Sequence, residues 1–168
     1  MVLPMKKYLA LLFLLTISLT GCGFHLQHET EVPARFKTLS YISGDPYGRL
    51  SRDIKELLRD NEVTLANINE VAKYPSLRII GDSLNKSTIS IYRDGKAAEY
   101  QLILTVNAQV IIAGEQIHPI TVRVFRTFFD NPAAALAKTV EQNLIEDEMY
   151  KQAAKQIIRK LKSIDAVN

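Results

Sequence analysis

Residues 98–112 read AEYQLILTVNAQVII, and this stretch decides the fold. Tyr100, Leu102, Leu104, Val106, Ala108, Val110 and Ile112 take alternate positions, and Gln101, Thr105, Asn107 and Gln109 stand between them. Successive side chains of an extended chain point to opposite faces. The alternation therefore predicts one long strand, apolar toward a core and polar toward water or a partner.

Working outward, Asp94-Gly95 just before this strand is a two-residue hairpin signal. It predicts that Ser87–Arg93 pairs back on Lys96–Gln101, with Arg93 facing Lys96, Ile91 facing Ala98 and Ile89 facing Tyr100, so that the apolar residues of both strands share a face. Gly114-Glu115 marks a second hairpin after the strand. A two-residue turn there would pair Ile112 with Ile117 and put Thr121 and Arg123 on the core face. An odd loop or a bulge instead gives that face to Ile120, Val122 and Val124. Asn131-Pro132 ends the sheet.

Nearer the N-terminus, Arg35–Ile42 alternates and reads as a first strand, stopped by the turn residues SGDPYG at 43–48. Leu50, Ile54, Leu57 and Leu58 then make a one-sided helical stripe ending near Asn61. A weaker strand is expected over Glu62–Ala66 and another beyond Pro75. After the sheet a long helix is expected from about Lys138 to Leu161, with Val140, Leu144, Ala153, Ile157 and Leu161 along one face. Glu141, Glu146, Asp147 and Glu148 crowd its first half and Lys155, Arg159, Lys160 and Lys162 its end, matching the helix dipole. The 168 residues, 47% of them apolar, suffice for one domain and not two. The expectation is an α+β two-layer sandwich over residues 34–168, with two helices on one face of a mixed, mostly antiparallel sheet of about four strands.

The chain begins differently. Lys6 and Lys7 precede an apolar run from Tyr8 to Ser18 that gives way to small residues, so 1–21 reads as a signal peptide. The run falls well short of the roughly 20 residues needed to span a bilayer. Leu19-Thr20-Gly21-Cys22 resembles the bacterial lipobox, in which the thiol receives a diacylglycerol, cleavage makes the cysteine residue one, and its amine takes an N-acyl chain. The alternative is a free thiol behind an ordinary cleavage site; a disulfide is excluded because the chain has one cysteine. Such an anchor holds a protein on a membrane without crossing it. Gly23, in place of the aspartate that keeps similar lipoproteins at the inner membrane, points to the outer membrane, periplasmic side. Residues 22–33 are polar and aperiodic, which suits a lipidated tether. The formal charge of +3 includes Lys6 and Lys7, so a chain starting at Cys22 is nearly neutral, which argues against nucleic acid as a partner.

Little in the sequence does chemistry. His25 and His28 sit three apart in the tether, with no further cluster to complete a metal site. His118, beside Pro119, has no serine or cysteine motif to serve. Phosphate loops, H-E-x-x-H and G-x-S-x-G are absent. The acidic IEDEM at 145–149 reads as a solvated helix face. No enzyme is expected, and no cofactor beyond the lipid on Cys22.

Several stretches together carry a resemblance: CGFHL at Cys22, SGDPYGRLSR at Ser43, AEYQLILTVNAQV at Ala98, VFRTFFDNPAAALAK at Val124 and EMYKQAAKQIIRKL at Glu148. Across nearly all of the chain after Cys22 they resemble the LptE family of lipopolysaccharide-assembly lipoproteins. The resemblance implies a non-enzymatic outer-membrane lipoprotein that plugs the lumen of the LptD β-barrel, helps it assemble and binds lipopolysaccharide in transit. A plug needs a polar face toward a water-filled lumen, and Gln101, Thr105, Asn107 and Gln109 offer one, as they equally would to plain solvent. A binder of phosphorylated lipid needs cations beside exposed apolar surface. The resemblance assigns that role to Arg93 and Lys138, while Lys96 and Arg126 are added here from their position near Tyr92, Tyr100, Phe125, Phe128 and Phe129. Gln27, where relatives often carry a basic residue, and the end at Asn168 without a long polar tail depart from the family pattern. The competing expectation is a lipoprotein scaffold on the periplasmic face for another outer-membrane assembly or secretion machine, with no lipid ligand.

Overall fold

A computed structural model describes residues 31–67, 73–130 and 135–164, of which 135–138 as backbone only. Residues 1–21, Cys22, His25, His28 and the tether as far as residue 30 lie outside the described residues. After a 3-10 turn at Ala34–Phe36 come β1 (Thr38–Ser43), α1 (Arg49–Asp60), β2 (Thr64–Leu65), β3 (Ser76–Ile91), β4 (Ala97–Ile111), β5 (His118–Phe129) and α2 (Ala135–Ser163). The strands form one sheet in the order β2-β1-β3-β4-β5. β1 runs parallel to β2 and β3, and the β3–β4 and β4–β5 pairs are antiparallel. The architecture is therefore the expected mixed α+β sandwich, with five strands rather than about four because the two-residue β2 completes an edge beside β1.

The quoted stretch forms β4, and its alternation holds: Leu102, Leu104, Val106, Ala108 and Val110 are buried. Opposite them, Ile120, Val122 and Val124 of β5 are buried too, in register with Ala108, Val106 and Leu104. The turn that achieves this has the odd length the sequence asked for. Val110 pairs with His118, Glu115 N–H donates to Ile112 O at 3.1 Å, and Gly114 takes a φ of +82°. Only glycine adopts that angle without a Cβ clash.

The first hairpin differs from its expected form. Gly95 N–H donates to Tyr92 O at 3.0 Å and Tyr92 N–H to Lys96 O at 2.8 Å, so the loop is three residues, Arg93–Gly95. A two-residue type I′ turn would require positive φ at Asp94 as well as at Gly95, and only Gly95 has it, at +82°. Arg93 consequently does not face Lys96. Ile91 lies opposite Ala97, Ser90 opposite Glu99 and Thr88 opposite Tyr100, and Ile89 and Ile91 are exposed rather than on the core.

The β3 register also shifts at Ile80, which is bulged out and 64% exposed. A one-residue bulge reverses which parity of side chain faces the helices. Before it Leu77 and Ile79 are buried; after it Asp82, Leu84 and Lys86 oppose the inward residues Val106, Leu104 and Leu102.

The first strand starts later than expected. Phe36 N–H bonds to Pro33 O at 2.8 Å in the 3-10 turn, which buries Phe36, and β1 begins only at Thr38. Leu50, Ile54 and Leu58 of α1 are buried with Met149, Ala153, Ile157 and Leu161 of α2. Val140 and Leu144 do not share that face. Leu144 is 63% exposed, as expected for a residue about 100° round the helix from Leu161 at 3.6 residues per turn.

Candidate ligand-binding site

The β3–β4 turn, the end of β5 and the start of α2 lie at one end of the sheet. Tyr92 ties the turn to β5 by donating its phenol O–H to Asp130 O at 3.3 Å, and Asp130 N–H donates to Ala98 O at 2.8 Å. Around this link Ile91 is 67% and Phe129 70% exposed.

The four candidate cations are placed unequally. Asp94 holds Lys96, its Oδ2 standing 3.4 Å from the ammonium and its Oδ1 accepting the Lys96 N–H at 3.2 Å. Arg93 is exposed in the turn, and no ion pair among the described residues engages it. Lys138 lies in the first turns of α2, at the same end, and its side chain is outside the described residues. Arg126 is apart from these. It points to the helix side of β5, where Nη2 donates to Gln152 Oε1 at 2.7 Å and Nη1 to Phe125 O at 3.0 Å, strapping α2 to the sheet.

A fifth cation, Lys86, joins them on the helix side of the sheet. The Lys86 ammonium lies 3.9 Å from the centroid of the Tyr100 ring and 5.0 Å from that of Phe128, and donates to Gln142 Oε1 at 3.5 Å. Tyr100 and Phe128 pack with centroids 5.5 Å apart. A cation over an aromatic face is held by the ring quadrupole. No local pattern marks Lys86; the Ile80 bulge alone brings it to the helix side.

On the opposite face of the sheet, Gln101, Thr105, Asn107 and Gln109 stand away from the helices as the alternation required, and Thr121 Oγ1 donates to Asn107 Oδ1 at 3.1 Å. An apolar pair, Ile103 opposite Phe125, interrupts the polar surface.

A cleft of about 710 Å³ opens where β1 ends, between the SGDPYGRLSR segment and the β3 bulge. The segment is tightly tied: Tyr41 O–H donates to Ser51 Oγ at 2.9 Å, Lys55 to Pro46 O at 2.7 Å and Arg52 to Tyr47 O at 2.6 Å. Burial pushes the Tyr41 phenol above its usual range. Arg49 reaches across to Asp147 at 2.9 Å. Tyr150 donates to Asp82 Oδ2 at 2.8 Å; burial first, and then the hydrogen bond to that carboxylate, raise the phenol to about 12, so it stays protonated at any physiological pH. The Asp45 carboxylate occupies the space a Cβ on Gly48 would fill, at the start of α1. That position places a negative charge at the helix N-terminus, where the dipole favours it. Gly48→Ala should displace Asp45 and lower the unfolding free energy by about 0.3–1 kcal/mol, read by urea unfolding. An unchanged midpoint would mean that Asp45 contributes nothing at this helix end.

His118 stands 3.3 Å from Glu115 at the second turn. Among the described residues no three His, Cys, Asp or Glu side chains are grouped to hold a metal, and no helix is long and apolar enough to cross a membrane.

Comparison with known proteins agrees with this fold. The family model described as LptE, lipopolysaccharide-assembly, matches residues 36–161. The chain is 48% identical over 160 residues to the LPS-assembly lipoprotein LptE of Pectobacterium atrosepticum, covering 95% of this chain and 87% of that protein. It superposes on the crystal structure of rare lipoprotein B from Shewanella oneidensis with a TM-score of 0.68 at 39% identity, over 77% of this chain and 96% of that one. The solution structure of lipoprotein B from Nitrosomonas europaea matches with a TM-score of 0.71 at 21% identity, covering 86% of this chain and 94% of that one, a likeness of fold alone.

Proposed function

Since the chain belongs to the LptE lipopolysaccharide-assembly family, we propose that it acts in that assembly as a lipoprotein anchored through Cys22 to the periplasmic face of the outer membrane. There it plugs the LptD barrel and binds lipopolysaccharide at the β3–β4 turn. The observation that carries the ligand reading is Arg93, a cation without an ion pair among the described residues, beside exposed Ile91, Tyr92 and Phe129. A phosphate offers charge-assisted hydrogen bonds to the guanidinium while acyl chains cover the apolar side chains. Lys138 lies at the same end, Lys96 adds a cation shared with Asp94, and Arg126 contributes from the helix side. The Gln101–Gln109 face suits a hydrated barrel lumen. The work is contact, with no catalytic residue and no cofactor beyond the lipid anchor.

Replacing Arg93 and Lys138 together by aspartate should weaken lipopolysaccharide binding by about tenfold to a hundredfold, as expected for lost hydrogen bonds to a charged group. Titration with purified lipopolysaccharide measures this, and Arg93, being exposed, should leave the melting temperature nearly unchanged. The barrel should still co-purify, because a plug interface is broad. Undiminished affinity would remove the site, and loss of the barrel would mean that the turn belongs to the protein interface.

A further inference from the structure

Lys86 is an exposed cation held in a fixed position. Its ammonium lies 3.9 Å from the Tyr100 centroid and 5.0 Å from that of Phe128, and both rings draw a cation to their faces. The third contact is Gln142 of α2, whose Oε1 accepts from the ammonium at 3.5 Å while its Nε2 donates to Glu146 Oε1 at 2.9 Å. That second bond settles which end of the amide turns to the lysine. Glu146 is steadied in turn by Arg49 at 3.7 Å. Three side chains therefore position the ammonium, and none of them carries a charge.

An ammonium has three donors, and only one is used here. No carboxylate among the described residues pairs with it: Asp82, on the same face of β3, accepts from Tyr150, Glu99 accepts from Ser90, and Glu146 is taken by Gln142 and Arg49. Two residues nearer the turn Thr88 stands on that face too, exposed and in register with Tyr100. Lys138 precedes Gln142 by four residues, one turn and about 6 Å along α2, so the two positions share a helix face. From Lys86 to Ile91, where β3 ends and the turn of Arg93 begins, the strand runs about 16 Å. With the ammonium held over Tyr100, a phosphate bound there is a different group from one bound at Arg93.

We propose that Lys86 binds a second phosphate of lipopolysaccharide, in the notch between β3 and the first half of α2. The inference rests on the reading of the β3–β4 turn as a lipopolysaccharide site, and it extends that site along the helix side of the sheet. The rings hold one side of the ammonium, and its two remaining donors meet the phosphate in charge-assisted hydrogen bonds, about twice as strong as neutral ones. Because the lysine is already positioned, binding orders it at little entropic cost. A ligand with phosphates at two points gains from both cations at once, while a free phosphate engages only one. Two points of contact also fix a direction: the ligand lies along β3, one phosphate at Arg93 and the other at Lys86.

Lys86→Met tests this, since methionine covers the rings with a similar stem but has no charge. The full chain, purified in mild detergent, is titrated with intact lipopolysaccharide, with the same lipopolysaccharide after enzymatic dephosphorylation, and with phosphatidylglycerol vesicles. Lys86→Met should weaken binding of the intact ligand by about tenfold, and Lys86→Arg should stay within about threefold of the wild type. Toward the dephosphorylated ligand Lys86→Met and wild type should bind alike, and the melting temperature of Lys86→Met should fall by no more than a few degrees, about what a lost cation–π contact costs. Unchanged affinity of Lys86→Met for the intact ligand, beside a clear loss in Arg93→Asp, would leave the turn site standing and overturn this inference alone. An arginine variant as weak as the methionine one would refute it too, by pointing to lost packing rather than lost charge. So would an equal loss toward the dephosphorylated ligand, because no phosphate would then be involved, or an equal loss toward the vesicles, because Lys86 would then meet any anionic lipid. A wild type that does not bind lipopolysaccharide at all would sink the turn site and this extension together.

Discussion

Leu104→Ala is expected to lower the unfolding free energy by about 2–5 kcal/mol, through lost transfer energy and an unfilled cavity. Leu104 is fully buried at the middle of β4, with Leu84 and Val124 beside it in register and α2 packed over that face. Strands on both sides hold the backbone, so the site has little freedom to collapse. Against a total stability of about 5–15 kcal/mol this is a large share. For a chain of this length it corresponds to a fall in Tm of roughly 6–15 °C. The neighbouring Ile103 provides the control, because it points to the other face and is only half-buried. Ile103→Ala should cost under about 1 kcal/mol. Differential scanning calorimetry of the two variants tests the assignment of faces directly. Equal losses would mean that the polar face is packed in the free protein, contrary to an open surface awaiting water or a partner.

That contrast also shows which parts of the fold are legible in a sequence. β4 is legible because its period of two runs unbroken from Tyr100 to Val110 and one face is buried, so a slip of one residue would invert the core. The odd second turn follows from the same constraint, since a two-residue turn without a bulge would expose Ile120, Val122 and Val124, which are buried. β3 offers no such constraint. Past Ile79 it packs little, its residues SLNKSTISI are mostly polar, and nothing local records the bulge at Ile80 that sends Asp82 and Lys86 to the helix side. The first hairpin departs from its expected form for a related reason: Asp94-Gly95 signals a turn, but the dipeptide alone does not distinguish a two-residue loop from the three-residue one in which only Gly95 takes positive φ. In α2, Val140 and Leu144 are apolar at plausible spacing, yet the core-facing arc is set by Met149, Ala153 and Ile157. Of the proposed ligand site, Arg93 and its turn could be read from the sequence. Its exposed rim of Ile91 and Phe129, and the strap that occupies Arg126, depend on tertiary register.

Cys22→Ala is expected to have the largest effect of any single change, on location rather than stability. Under the proposed lipidation the sulfur carries two acyl chains and the amine a third. Burial stabilises each chain by about 0.8 kcal/mol per CH₂, so one chain binds marginally while two or more hold firmly. Alanine has no nucleophile for the diacylglycerol, and the step that exposes the amine depends on that modification. The variant should carry no labelled fatty acid and vanish from the outer-membrane fraction, while the wild type is recovered there with the label. The apolar run from Tyr8 to Ser18 cannot substitute, being much shorter than the roughly 20 residues a spanning helix needs. Core packing should be indifferent, because every buried apolar side chain among the described residues lies between Val32 and Leu161. A variant that keeps its outer-membrane location without any acyl label would overturn the anchor. The binding would then reside in the domain itself, and the exposed apolar residues of the β3–β4 end, Ile91, Tyr92 and Phe129, would be the surface to alter next.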